Sequence, residues 1–158
     1  MPKQTDFKKV NNIAGWLVFA IAYIVYLKTL ERTVSFWDCG EFLSVAFRLE
    51  VGHSPGAPLF MLLGRLFGMA ASPLHVAMFI NSLSALASAL TILFLFWTIT
   101  HFAKRLVFQG ADAFHSGQLV AVIAAGAVGA LAYTFSDTFW FSAVEGEVYV
   151  SSSFFTPF

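Results

Sequence analysis

Asp38, Glu41, Arg48, Glu50 and His53 fall within sixteen residues of a 158-residue chain whose apolar runs otherwise carry almost no charge. These are the residue types that a group-transfer reaction needs. A carboxylate takes a proton from an acceptor or holds a divalent metal, and a guanidinium or imidazolium stabilises phosphate charge. Asp137, Glu145 and Glu147 form a second acidic group near the other end of the chain. Arg65 stands alone in an apolar run, where its charge must find a phosphate, a carboxylate or water.

Each of these residues also has a plain structural reading. Asp38 fits an N-cap for the stretch after Gly40, worth roughly 1 kcal/mol. Glu41, Ser44 and Arg48 recur on one helical face opposite Phe42, Val45, Ala46 and Leu49, so Glu41 can pair with Arg48. His53 precedes a Ser-Pro turn that it can lock. Glu145 and Glu147 are two apart, so a helix would point them apart and a strand would align them. Cys39 has no partner for a disulfide or a metal and reads as a half-buried residue in a tight turn.

The elements around these groups are membranous. Hydrophobic residues make up 58% of the chain and charged residues 11%, with a mean hydropathy of +0.75, far from the roughly 25% charge of a soluble domain. The net charge is zero, and no basic run interleaved with aromatics points to nucleic acid. No phosphate-binding loop, dinucleotide fingerprint, zinc-protease motif or nucleophile elbow occurs.

Three full spans are expected, at about 10–30, 73–103 and 117–135. Lys3, Lys8 and Lys9 ahead of the first span place the amino terminus in the cytoplasm, and Lys104 and Arg105 after the second agree with that orientation. The loop at 31–72 then lies on the outer face, periplasmic or lumenal, with an amphipathic surface helix and a short interfacial or re-entrant helix at Leu59–Ala71. The link at 107–116, with Asp112 and His115, is cytoplasmic. Ser72-Pro73 reads as an N-cap and first helical residue, and Asn81 as an amide bonded to a neighbouring helix. Gly64 and Gly68, and then Gly126 and Gly129, mark faces where helices approach closely. From Val148 a fourth apolar segment starts but is too short to span, so the sequence reads as the amino-terminal part of a larger membrane protein.

WDCGEF at 37–42, LEVGHSPGAPLF at 49–60 and SAVEGEVYVSSSFF at 142–155 resemble the amino-terminal motifs of the protein O-mannosyltransferase-like family, within the GT-C superfamily of polytopic glycosyltransferases. The resemblance covers nearly the whole chain. It implies an all-α, polytopic membrane helix bundle that transfers a sugar, with mannose expected, from a polyprenyl-phosphate donor to Ser or Thr of an exported protein. By the same resemblance Asp38 is the catalytic acidic residue of the first external loop, acting as general base, with Glu41 its rival. Arg48, His53, Arg65, Glu145 and Glu147 are then substrate-binding. A metal cofactor is left open, and the amino-terminal stretch alone is not expected to be active. Two other classes fit the composition: a transporter or channel subunit, which would need polar groups near mid-membrane, and a non-catalytic assembly subunit, which would be indifferent to Asp38.

Overall fold

The computed structural model describes residues 4–54, 56–108 and 115–156. Every regular element among them is helical: α1 (Gln4–Lys28), α2 (Cys39–Arg48), α3 (Pro58–Met69), one turn of 3-10 helix (Pro73–His75), α4 (Val76–Phe108), α5 (Ser116–Thr134), α6 (Asp137–Val144) and α7 (Val148–Phe155). Three stretches are long and apolar enough to cross a membrane: Asp6–Lys28, Pro73–Phe108 and Ser116–Thr134. Ile13, Leu17, Val120 and Val128 leave large apolar surface exposed on them, as lipid-facing positions do. Of the expected link at 107–116, Asp112 and its neighbours lie outside the described residues, as does Pro55.

The chain divides into two compact units. The first takes Met1–Ala22 and Ala89–Ser136. In it Phe7, Phe108 and Val122 form a buried cluster, with the Phe7 and Phe108 rings edge to face at 5.5 Å and the Lys104 ammonium 4.9 Å above the Phe7 ring. A methyl built on Gly126 would collide with Thr100 and lie 3.0 Å from Phe96, and one on Gly129 would lie 2.7 Å from Ile99 Cδ1. These glycines let α5 close on α4, as their spacing predicts.

The second unit, Tyr23–Ser88 with Asp137–Phe158, carries the acids. Its core joins Cys39, Phe42, Leu43, Val45 and Ala46 of α2 to Phe60 and Met61 of α3 and Ile80 and Leu83 of α4. Burying each large side chain contributes about 1.5–3 kcal/mol, against about 1 kcal/mol for a cap, so packing rather than capping holds α2. Gly64 makes that packing possible: a methyl there would meet the Ala46 methyl at 3.0 Å and Ile80 Cγ2 at 3.4 Å. Helix α2 ends on Leu49 in the left-handed region (φ 57°), with the Leu49 and Glu50 N–H groups both donating to the Val45 carbonyl.

Several local expectations are corrected. Cys39 is fully buried as the first residue of α2, neither half-exposed nor in a turn. Ser72 and Pro73 take the expected cap and first-helical positions, but of a 3-10 turn before α4, and the Ser72 hydroxyl lies 2.9 Å from His75 Nδ1 rather than capping backbone. Asn81 bonds loop carbonyls, not a neighbouring helix. Asp137–Val144 forms a further helix, α6, in a stretch to which the sequence reading assigns no element.

Candidate functional site

Asp38 stands at the N-cap of α2 with helical dihedrals (φ −73°, ψ −9°), and its side chain makes no capping hydrogen bond. The exposed carboxylate is therefore not consumed by the helix end. Trp37, immediately before it, is 94% exposed and held at φ 66°. A left-handed backbone is costly for a bulky residue and clusters at functional positions.

One turn into α2, Glu41 grips the loop that follows the helix. Its Oε1 accepts the His53 backbone N–H at 2.7 Å, and His53 Nδ1–H donates to its Oε2 at 2.9 Å. The pairing expected with Arg48 is not made, because both carboxylate oxygens are committed to His53. Arg48 instead faces Glu50 at 3.8 Å, with both side chains largely exposed. The His53 ring stacks on Phe42 at 5.9 Å, and Phe42 is anchored edge to face on Phe60 at 6.1 Å.

The two partners shift in opposite senses. The His53 N–H, then the His53 ring, hold the Glu41 carboxyl below its ordinary value. The hydrogen bond that its ring donates to Glu41, then the charge of Glu41, then that of Asp38, raise the His53 imidazole. His53 thus favours the closed turn fully below its ordinary 6.5 and loses that effect as pH rises through its raised value. Glu41 contributes above its ordinary 4.5 and is lost as pH falls through its lowered value. The closed turn is most favoured between them. Replacing Glu41 with Gln should bring the His53 titration midpoint back down toward 6.5, read by NMR of labelled histidine; an unmoved midpoint would contradict the pair.

The second acidic segment reaches the same place from α6 and α7. Glu145-Gly146-Glu147 is neither helix nor strand but a turn between them, with the Glu147 N–H donating to the Glu145 carbonyl at 2.9 Å. Burial raises the half-buried Glu147 carboxyl, and the charges of Glu145 and Asp38 add to that. Asp38 is therefore within electrostatic reach of both His53 and Glu147. Three segments bring Asp38, Glu41, His53, Glu145 and Glu147 to one end of the unit.

Arg65 is not among them. Its guanidinium donates to the Phe47 carbonyl and lies 5.3 Å over the Phe47 ring. Phe47 is nine residues beyond Asp38, which at 1.5 Å per residue is about 14 Å along α2. Sequence reasoning gave Asn81 a bond to a neighbouring helix and no place beside the acids. It is fully buried, and its polarity within an apolar helix was the signal available. No group of three His, Cys, Asp or Glu among the described residues is arranged to hold a metal ion.

The family model described as "Protein O-mannosyl-transferase TMEM260 N-terminal domain" matches residues 38–158. A Dictyostelium discoideum protein named protein O-mannosyl-transferase tmem260 is 28% identical over 141 residues, covering 88% of this chain and 15% of its own length. The Mus musculus protein O-mannosyl-transferase TMEM260 is 31% identical over 144 residues, covering 87% of this chain and 17% of its own. The chain thus spans a small part of the length of these curated relatives. No solved structure matches it. The family match begins at Asp38 and takes in every candidate residue above, and the chain belongs to the TMEM260 N-terminal-domain family of protein O-mannosyl-transferases.

Proposed function

We propose that the full-length protein is a GT-C-type membrane glycosyltransferase that moves mannose from a polyprenyl-phosphate donor to a Ser or Thr hydroxyl of an exported protein. The observation that carries this reading is the convergence of Asp38, the Glu41–His53 pair and the Glu145–Glu147 turn, in a chain of this family. Asp38, with its carboxylate uncommitted, accepts the acceptor's hydroxyl proton as the oxygen attacks the anomeric carbon. The bond from that carbon to the phosphate oxygen breaks, and the polyprenyl phosphate leaves with the electron pair. His53, whose imidazole Glu41 raises above its ordinary value, offers positive charge to that phosphate in its protonated form. Glu145 and Glu147 line the sugar side.

An open apolar groove of about 210 Å³ supports a lipid-linked donor. It runs along Pro58, Phe60 and Leu63 of α3 and Val148 and Phe155 of α7, and Val148 directly follows Glu147. Arg48, at the far end of α2, and Arg65 of α3, bonded to the Phe47 carbonyl at that end, are too distant to hold the leaving phosphate beside Asp38. The basic residues near the start of α1 and near the end of α4 support a cytoplasmic amino terminus with the acids outside.

The test is release of labelled mannose from polyprenyl-phosphate mannose to a Ser/Thr peptide by the full-length protein in detergent, with a nucleotide-linked mannose in parallel. Turnover is expected from the lipid-linked donor alone. Turnover from the nucleotide sugar, or from neither, rejects the reading.

A further inference from the structure

Asn81 lies in α4, is fully buried, and touches both acid-bearing segments. Its Nδ2 donates to the Glu31 carbonyl at 2.8 Å and faces the Thr33 carbonyl at 3.4 Å, in the loop that leads to Asp38. Its Oδ1 is buried with no hydrogen-bond partner and lies 2.9 Å from where a methyl on Gly146 would sit. The backbone of the Glu145–Glu147 turn therefore rests directly on the amide. The seam continues on both sides. The Glu31 N–H donates to the Val144 carbonyl at 3.0 Å, and Cys39 Sγ and Leu43 Cδ2 lie 3.5 and 3.2 Å from the same methyl position.

We propose that Asn81 is a positioning residue: its amide clamps the loop before Asp38 against the Glu145-Gly146-Glu147 turn and so sets the approach of Asp38 to Glu147. Two features make the assignment specific. An apolar side chain of equal size would leave the loop carbonyls without their donor, and any residue larger than glycine at 146 would push the turn off the amide. The groups that face Glu147 are Glu145 on its own turn and Asp38 at the start of α2, with His53 and Glu41 beyond Asp38. Burial and these two acids raise the Glu147 carboxyl above its ordinary value, so loosening the clamp has a direct reporter.

The proposal uses the proposed sugar transfer for one readout and is independent of it for two. The full-length protein would be compared with Asn81→Leu and Gly146→Ala; the second keeps both amide donors and displaces only the turn. The protonated-carboxyl infrared band of Glu147, assigned in each background by Glu147→Gln, should titrate at lower pH in both variants. Maleimide labelling of Cys39, located by peptide mass spectrometry, should be slow in the wild type and at least tenfold faster in both variants. With polyprenyl-phosphate mannose, kcat should fall about tenfold while KM stays within twofold. A Glu147 midpoint that stays put in folded Gly146→Ala overturns the proposal, as does kcat loss with an unmoved midpoint. If the wild type never turns over, sugar transfer fails, and the midpoint and the labelling still decide the role of Asn81.

Discussion

Asp38→Asn in the full-length protein is expected to lower mannose release by roughly a hundredfold or more, the scale of a lost general base. The substitution is well suited to separate the two readings of this residue. Asp38 makes no side-chain capping bond, and Asn is as good an N-cap as Asp, so a capping role predicts almost no change. Helix α2 is secured by Phe42, Leu43, Val45 and Ala46 in the core, none of which the substitution touches. Thermal unfolding should therefore stay near that of the wild type while turnover collapses. Glu41→Gln should cost less, because Glu41 acts on His53 rather than on the acceptor, and its loss should grow as pH rises past the ordinary histidine value. Full activity of folded Asp38→Asn would remove Asp38 from the chemistry and leave the assembly role ahead.

The long helices were legible because each holds a charge-free run of sufficient length, a signal summed over eighteen or more residues. The close approaches at Gly64 and Gly126 were legible for a related reason: glycines three or four apart have few other uses in an apolar helix. What failed was short or non-local. Asp137–Val144 is only two turns long and mixes aromatic and polar residues, so no periodicity marks it as a helix. The partner of Glu41 lies twelve residues away across a turn, and helical spacing favoured Arg48, which was nearer in sequence and wrong. Asn81 meets residues about fifty positions earlier, a contact that no local pattern encodes. The acids themselves were found by composition; that they converge depends on the turn at 145–147 and the loop at 31–38, whose shapes are set by packing.

The second large effect concerns the α4–α5 contact. Gly126→Ala should destabilise the detergent-solubilised protein by about 1–3 kcal/mol, the usual cost of forcing extra volume into a packed site. The added methyl would collide with Thr100, which is 1% exposed and whose hydroxyl is tied to the Trp97 carbonyl at 3.1 Å. It would also press on the fully buried Phe96 ring at 3.0 Å. Neither neighbour has room to turn away, so the helix itself must shift. Gly129→Ala should cost less although its contact is also short, because it meets only the terminal Cδ1 of Ile99, which another rotamer can withdraw. Gly117→Ala, with nothing within 4 Å, should leave stability unchanged or raise it slightly, since alanine is the better helix former. The ranking Gly126, Gly129, Gly117 in melting temperature separates steric packing from helix propensity, because propensity alone predicts that all three substitutions stabilise. A Gly126→Ala protein as stable as the wild type would mean that α4 and α5 do not pack through this face.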